Sequence, residues 1–184
     1  MGRTSTIEPD RILNATERVI MRDSVARLTI DAVAAEAGVS KGGVLYTFRT
    51  KEALIQALME RMVRRYDEEI ERCWPAEGIK PELAHLKAYI DAVLGLTGQD
   101  HRTAAAMLAA AMNNPTLLAP MQDFYARHLP RIRAALPDDR ALTAFLAIEG
   151  MVFLELFGLV GFSQAEREHV VRSLHALIDG AAAS

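Results

Sequence analysis

The sequence predicts an all-α protein of about nine helices, and three observations support this fold class. No stretch alternates apolar and polar residues with period two, whereas apolar residues recur at spacings of three and four throughout. Glycines and prolines interrupt that pattern at intervals typical of helix lengths. Apolar residues make up 51% of the 184 positions, which suits a folded chain with a substantial core.

Each predicted helix is bounded by a capping residue, a glycine or a proline. An apolar stripe of Ile12, Val19 and Ile20 marks helix 1, and Pro115 and Pro120 bracket a single turn before helix 7. The predicted helices are residues 8–21, 30–37, 41–48, 51–72, 81–96, 101–112, 120–135, 137–160 and 164–179.

Several connections carry specific turn or capping signals. Residues 98–100 (Gly-Gln-Asp) predict a turn before helix 6, and Pro130 is expected to kink or interrupt helix 7. Ser163 and Glu166 have the spacing of a capping box for helix 9. The tail after residue 179 is expected to fray.

The charges are distributed unevenly along the chain. Residues 1–65 hold eleven Lys/Arg and eight Asp/Glu, whereas residues 66–184 hold ten and sixteen, so a net charge of −3 combines a basic N-terminal part with an acidic body. This asymmetry fits a DNA-binding head, although a solvated surface gives the same imbalance. Cys73 has no partner for an internal disulfide, and the N-terminus lacks an apolar secretory segment. We therefore expect a cytoplasmic protein.

The first half of the chain contains the pattern of a helix-turn-helix. Thr29 and Ser40 are placed to cap two short helices, and Gly38 lies between them at a turn. Ala34 permits a close helix crossing, and Val44 packs the second helix back on the first. These residue types at these spacings predict that helix 3 is the helix that enters a DNA major groove.

The outward face of helix 3 is unusual for a core helix. Gly42 and Gly43 each cost about 1 kcal/mol of helix propensity relative to alanine, so close approach to another surface is the better explanation for them. Lys41 reaches a phosphate or a guanine edge, and Tyr46 a phosphate. Lys51 at the start of helix 4 opposes the helix dipole unless a phosphate binds there. The alternative places Tyr46 in the core and treats the glycines as a loose turn. Val44 and Phe48 are core residues in either interpretation.

The segment LTIDAVAAEAGVSKGGVLYTFRTKEAL resembles the DNA-binding domain of the tetracycline-repressor (TetR/AcrR) family of bacterial regulators. The resemblance covers roughly residues 8–60 and implies a helix-turn-helix domain over 1–60, joined by a long helix to a ligand-binding and dimerisation domain over 61–184. Many relatives carry an aromatic residue at Leu45 and a histidine at Thr47, so this protein's own base preference is expected at those two positions. The positions that the resemblance places on DNA are Thr29, Lys41, Gly42, Gly43, Leu45, Tyr46, Thr47 and Lys51.

The resemblance also implies a homodimer that places one head on each half of a palindromic operator. Helix 8 is apolar nearly all round, but Glu149 and Glu155 make it a poor membrane span, so a bundle completed by a second copy is favoured over a purely intramolecular core. Helices 8 and 9 are predicted to form this interface. Its expected residues are Gly150, Leu154, Phe157, Gly158, Val170, Val171, Leu174, Leu177 and Ile178.

An effector pocket is predicted in the body from methionines and aromatic residues, which adapt to varied apolar ligands. At helical spacing the same residues also suit an ordinary core. Glu149 needs a partner inside its apolar helix, and an arginine is favoured over a cationic ligand. The candidate pocket residues are Trp74, His85, Tyr89, Met107, Met112, Met121, Phe124, Phe145 and Glu149.

The sequence lacks the patterns of common enzymes. There is no P-loop, Rossmann glycine pattern or HExxH, the five histidines are scattered, and one cysteine excludes a thiolate zinc site within the chain. We therefore predict no catalytic residues, metal or cofactor. The predicted function is a repressor released by a small apolar or amphipathic effector. The alternative is a nucleoid-associated dimer that binds DNA without sequence preference and without an effector.

Overall fold

A computed structural model describes residues 9–75, 78–96 and 98–182 of the chain. Within these ranges there are nine α-helices, three short 3-10 turns and no β-strand, which confirms the all-α prediction. The helices are α1 Pro9–Asp23, α2 Ile30–Ala37, α3 Lys41–Thr47, α4 Lys51–Arg72, α5 Pro81–Ala92, α6 Gly98–Asn113, α7 Ala119–Ala134, α8 Arg140–Leu156 and α9 Gln164–Ala182.

The helices form two compact units. The first contains the chain up to Met62 together with Arg102–Met121, and the second contains Val63–His101 together with the chain from Gln122 onwards. The helices α4, α6 and α7 therefore each contribute residues to both units.

The helix-turn-helix is fixed by the capping interactions that the sequence predicted. The Thr29 hydroxyl accepts from the backbone N–H of Ala32 at 3.1 Å, and the Ser40 hydroxyl accepts from that of Gly43 at 3.0 Å. Gly38 ends α2 with a φ of 64°, a left-handed conformation that favours glycine. The backbone N–H groups of Gly38 and Val39 bond the carbonyls of Ala35 and Ala34, as in a Schellman motif.

The first unit is built around a buried face of α1. Arg11 on this helix donates from Nε to the carbonyl of Ala37 at 2.9 Å, so a cation caps the C-terminus of α2. Glu17 accepts from Thr103 at 2.9 Å and from Arg61 at 2.9 Å, which ties α1 to α6 and α4. Apolar residues buried in this unit include Ile12, Val19, Ile20, Leu28, Val33, Val44, Leu54, Leu58 and Met107.

The second unit packs α5 against α8 and α9. Arg167 on α9 donates to the carbonyls of Val93 and Leu96, and so caps the 3-10 turn Val93–Gly95 that follows α5. This turn ends α5 at Ala92, earlier than the predicted boundary at residue 96. Apolar residues buried in this unit include Leu86, Ile90, Ile132, Phe145, Ile148, Met151, Val171, Leu174 and Ile178.

The turn predicted at residues 98–100 was wrong. Gly98 begins α6 instead of preceding it in a turn, and Asp100 lies buried in the first helical turn with an ion pair to Arg65 at 2.7 Å. A carboxylate is favourable at a helix N-terminus, which explains the earlier start.

Pro130 does not interrupt α7, which continues to Ala134. Both Pro130 and Ala126, whose carbonyl loses its helical hydrogen bond there, are exposed, so water can replace that bond.

The ends of α8 and α9 follow from local chemistry. Gly158 adopts a φ of 64° and ends α8 at Leu156, four residues before the predicted end. Ser163 and Glu166 form the predicted capping box, in which the Glu166 carboxylate accepts from the Ser163 backbone N–H at 2.8 Å.

The predicted first residue of helix 1, Glu8, and the last two residues of the predicted fraying tail lie outside the described residues. Over the described ranges, the chain has no helix with the length and apolarity that a membrane crossing requires.

Candidate functional site

The outward face of α3 presents an aromatic ring to solvent. Tyr46 is 90% exposed, whereas Val44, two residues earlier, is completely buried. A large ring so exposed contributes nothing to the core of the chain, so the interpretation of Tyr46 as a core aromatic was wrong. Lys41 and Gly42 are also exposed at the start of this helix. The result is a short surface bounded by a tyrosine and a lysine, with little side-chain bulk between them.

The remaining predicted positions on α3 are half-buried. Gly43, Leu45 and Thr47 are each partly accessible, and the Thr47 hydroxyl donates to the carbonyl of Gly43 at 3.4 Å. Phe48, predicted as core, is the C-cap residue of α3 and is also only half-buried. Leu45 and Thr47 therefore keep part of their side chains available on the same surface as Tyr46.

Two lysines flank this surface at helix starts. Lys41 Nζ lies 2.9 Å from Asp31 Oδ2, in an ion pair whose members are both more than half exposed. Lys51 Nζ lies 3.4 Å from the carbonyl oxygen of Ala26, beside the first turn of α4. The Thr50 hydroxyl caps that helix by accepting from the Ala53 N–H at 3.0 Å. Both lysines thus lie where backbone N–H groups and a positive charge face solvent together.

Two exposed arginines near the helix-turn-helix were not among the residues predicted from the sequence. Arg27 and Arg49 are exposed, and neither has an ion pair with any residue that the structure describes. Arg49 lies two residues after the end of α3, so its closeness to the predicted DNA-binding helix could have been inferred from the sequence. Arg18 and Arg22, by contrast, both pair with Glu36, and their hydrogen bonds hold the pKa of that carboxyl below its usual value.

A cluster of aromatic rings occupies the second unit. His128 lies at its centre, with its ring centroid 4.2 Å from that of Phe124 and 5.8 Å from that of Tyr89. Trp74 lies at its edge, 6.0 Å from His85, and is 43% exposed. We call this set the aromatic cluster; its members are Tyr66, Trp74, His85, Tyr89, Phe124, Tyr125, His128 and Phe145.

Glu149 is held by two tyrosines of the aromatic cluster and not by the arginine that was favoured. The hydroxyls of Tyr89 and Tyr125 each donate to one of its carboxylate oxygens at 2.6 Å. Burial first, and the Glu149 charge second, raise the pKa of Tyr89 and of Tyr125 well above the usual value for a phenol. Both hydroxyls therefore keep their protons and remain donors at neutral pH.

Two buried histidines and an aspartate form a chain of hydrogen bonds. His128 Nε2 lies 2.8 Å from Asp67 Oδ1, and His128 Nδ1 lies 3.0 Å from His85 Nε2. Burial, with Arg131 and His128 adding to it, lowers the pKa of His85 to about 4. Burial also lowers the pKa of His128, although Asp67 opposes that shift. Both imidazoles are therefore neutral at pH 7.

The structure gathers six of the nine predicted pocket residues in the second unit. These are Trp74, His85, Tyr89, Phe124, Phe145 and Glu149. The three methionines belong to the first unit, where Met107 is completely buried and Met112 is 86% exposed. Met121 is half-buried. An exposed side chain such as that of Met112 lines no interior. Sequence reasoning missed Tyr66, Tyr125 and His128, although the spacing of four between Phe124 and His128 matches that of His85 and Tyr89.

The outward face of α8 is apolar. Every exposed residue between Arg140 and Leu156 is uncharged, and Phe157 continues the face at 58% exposure. The rings of Phe153 and Phe157 are nearly parallel, with centroids 6.1 Å apart. The face, which we call the α8 face, consists of Thr143, Leu146, Ala147, Gly150, Phe153, Leu154 and Phe157.

The predicted contribution of α9 needs correction. Val171, Leu174 and Ile178 are buried within their own chain, where α9 packs against α8 and α5, so they are not available to a partner. Val170 is half-buried and Leu177 is 36% exposed. The exposed residues of α9 instead include the charged Arg172 and Asp179 beside the small Ser173 and Ala176. Leu146 and Phe153 belong to the exposed apolar surface and were missed.

A helix-turn-helix whose second helix is exposed, followed by a helical body, defines a class of DNA-binding regulators. Residues 12–58 match the model of the bacterial regulatory proteins of the tetR family, and residues 84–179 match the tetracyclin repressor-like C-terminal domain. The chain belongs to the TetR family. It is a DNA-binding transcriptional regulator, from a family of non-enzymatic regulators that typically dimerise.

Two regulators of known name are similar to this chain. The regulator BetI of Yersinia pestis (strain Pestoides F) is 23% identical over 153 residues, which is 79% of this chain and 77% of BetI. The regulator TtgR of Pseudomonas putida is 35% identical over 57 residues, which is 31% of this chain and 27% of TtgR.

Solved structures share the fold along nearly the whole chain. A transcriptional regulator from Rhodococcus sp. Rha1 superposes with a TM-score of 0.75 at 18% identity, covering 95% of this chain and 97% of that one. The multidrug binding protein EbrR in complex with ethidium superposes with a TM-score of 0.64 at 20% identity, covering 92% and 97%.

Proposed function

We propose that this regulator is a ligand-responsive repressor that binds a palindromic operator as a homodimer and leaves it when a small apolar or amphipathic effector binds the body. The observation that carries the DNA-binding part is the outward face of α3. There Tyr46 is 90% exposed beside a glycine pair, at the position where a recognition helix meets the major groove.

The lysines and the tyrosine supply the contacts to the DNA backbone. Tyr46 donates its hydroxyl to a phosphate, and Lys51 binds a second phosphate together with the N–H groups that open α4. Thr29 holds a phosphate at the start of α2. Lys41 must leave Asp31 to reach DNA, but an exposed ion pair of this kind is worth only about 0.2–1 kcal/mol. The pair therefore does not oppose binding appreciably.

Sequence preference is assigned to the half-buried residues of the same surface. Leu45 and Thr47 retain accessible apolar and hydroxyl groups, which suit a thymine methyl group and a base edge. Gly42 and Gly43 let the backbone of α3 approach the DNA between these contacts.

Dimerisation is assigned to α8 and α9. The α8 face exposes two phenylalanines and two leucines with no charge, and a monomer gains nothing from such a surface. Gly150 at its centre allows a second helix to come close. A dimer on a palindromic operator must present two recognition helices about 34–36 Å apart, one helical turn of DNA.

Effector binding is assigned to the body, residues 61–184, and DNA binding to residues 1–60. The two family matches, at 12–58 and 84–179, support this division. The aromatic cluster supports the binding of an apolar or amphipathic molecule, and the structurally similar EbrR is a multidrug binding protein. A regulator that acts on DNA in this way works in the cytoplasm.

The experiment that tests the proposal is selection of binding sites from random duplex DNA with the full-length protein. We expect an enriched palindrome whose half-sites are centred about one helical turn apart. Footprinting on that site should protect both halves together. Enrichment of a single half-site without dyad symmetry would contradict the dimeric part of the proposal.

The alternative is a DNA-binding dimer without sequence preference or effector, and the same material distinguishes it. A specific regulator binds its site at least about 10³-fold more tightly than random DNA at physiological salt. A nucleoid-associated protein shows a ratio near one with a steep salt dependence. The enriched site and a shuffled duplex of equal composition provide the comparison.

Replacing Gly42 with alanine should change stability and DNA affinity in opposite directions. A Cβ at this position meets only Ser40 Oγ, at 3.9 Å, so the free protein accepts it and gains up to about 1 kcal/mol of helix propensity. The added methyl group separates α3 from the DNA, so we expect at least about tenfold weaker binding to the selected site. Chemical denaturation and fluorescence anisotropy measure the two effects. Unchanged affinity would remove Gly42 from the interface.

A further inference from the structure

The chain of hydrogen bonds from Asp67 to His85 determines where the imidazole protons lie. Asp67 is ion-paired with Arg127 at 2.7 Å and acts as an acceptor, so His128 must donate from Nε2. Neutral His128 then has only a lone pair at Nδ1, and the bond at that atom requires His85 to donate from Nε2. His85 is consequently left with a lone pair at Nδ1.

That lone pair is buried without a donor. His85 is 1% exposed, and its Nδ1 atom has no hydrogen-bond partner among the residues that the structure describes. A buried acceptor left unpaired carries an uncompensated desolvation penalty, so a group that donates to it is stabilised on binding. Asp67 and His128 hold His85 in this tautomer. Its Nδ1 atom is therefore a hydrogen-bond acceptor among aromatic rings before any ligand binds.

We propose that His85 Nδ1 is the polar recognition point for the effector, and that the effector is a neutral aromatic molecule with one O–H or N–H donor, of the phenol class. This inference rests on the proposed function, because it names the chemistry of the molecule that the body binds. The rings of Trp74 and Tyr89 lie 6.0 and 6.5 Å from His85 and suit a flat aromatic partner.

The charges around His85 favour a neutral donor over a cation. The Arg131 guanidinium lies 5.6 Å from the Trp74 ring and disfavours a second positive charge near His85. Each oxygen of the Glu149 carboxylate already accepts a hydrogen bond from a tyrosine hydroxyl of the protein. Glu149 therefore has less need of a cationic ligand as a partner. Trp74 is 43% exposed and its ring neighbours that of His85, so we assign to it the approach of the ligand.

The tautomer prediction is tested on the wild-type protein without any substitution. Long-range ¹H–¹⁵N correlation spectra of full-length protein labelled in its histidines report which ring nitrogen carries the proton. We expect both His85 and His128 to carry it on Nε2 at pH 7. Addition of phenol should move the His85 Nδ1 resonance upfield, as expected when a lone pair accepts a hydrogen bond. A proton on His85 Nδ1 would overturn the proposal.

Calorimetry with a matched pair of probes tests the ligand class. Phenol and anisole have similar shapes, but anisole lacks the donor, and we expect phenol to bind at least about tenfold more tightly. The variant His85→Phe should abolish this preference while anisole still binds. Absence of saturable phenol binding, or equal affinity for the two probes, would overturn the proposal. Phenol that binds at His85 but leaves operator affinity unchanged would contradict the repressor mechanism and not the site.

Discussion

The variant Tyr46→Ala is expected to lose at least about 100-fold in affinity for the selected operator while its unfolding midpoint stays the same. A hydrogen bond to a charged group such as a phosphate contributes about 1.5–3 kcal/mol, and a dimer loses the contact at both half-sites. The fold is unaffected because Tyr46 is 90% exposed and packs against nothing in the core. Fluorescence anisotropy with the labelled operator and thermal unfolding measure the two quantities.

The companion variant Lys51→Ala tests how much a single positive charge contributes to DNA binding, independently of the DNA sequence. Lys51 is assigned to a phosphate, so its loss should weaken binding to operator and to random DNA by similar factors. It should also lower the slope of log affinity against log salt by about one for each site. Lys80→Ala is the matched control, because Lys80 is exposed just before α5 and belongs to the second unit, not to the helix-turn-helix. If Tyr46→Ala and Lys51→Ala both bound the operator as well as the control, the assigned interface would be wrong.

The helix-turn-helix could be predicted from sequence because its signals are local. Thr29 and Ser40 cap helices through atoms three residues away, and Gly38 satisfies a left-handed turn that other residues rarely adopt. None of these interactions depends on a distant part of the chain. The same holds for the capping box of Ser163 and Glu166.

Errors arose where contacts distant in sequence decide the structure. The start of α6 at Gly98 depends on the ion pair of Asp100 with Arg65, 35 residues earlier in the chain, which turn propensity does not indicate. The environment of Glu149 was misjudged for the same reason. A carboxylate in an apolar helix requires a partner, but only the packing of α5 and α7 against α8 determines that the partners are Tyr89 and Tyr125.

The candidate effector site could be predicted only in part. A spacing of four placed His85 and Tyr89 on one face of α5, which the structure bears out in their ring contact. The spacing does not reveal which residues of α4 and α7 meet that face, so Asp67 and His128 were missed. Methionine content was a poor guide, since flexible apolar side chains occur equally in cores and on surfaces, as Met107 and Met112 illustrate.

The second large effect is expected from a charge placed on the α8 face. In a two-fold dimer, Phe157→Glu places two carboxylates in the same apolar contact, where desolvation and mutual repulsion act together. Burying an unpaired charge at an interface costs about 2–5 kcal/mol, so we expect dimer dissociation to increase at least about 100-fold. The monomer should fold normally, because Phe157 is 58% exposed and the glutamate remains solvated there.

Light scattering at micromolar concentration distinguishes the outcomes. The wild type should behave as a dimer of 20.2 kDa chains and Phe157→Glu as a single chain. Met112→Glu is the matched control, since it makes the same apolar-to-acidic change at an 86% exposed position on α6. A monomeric variant with an intact helix-turn-helix should still bind an isolated half-site weakly but lose the palindrome, because the second half-site then binds independently. A variant that remained dimeric would place the interface elsewhere, and the uncharged α8 face would need another explanation.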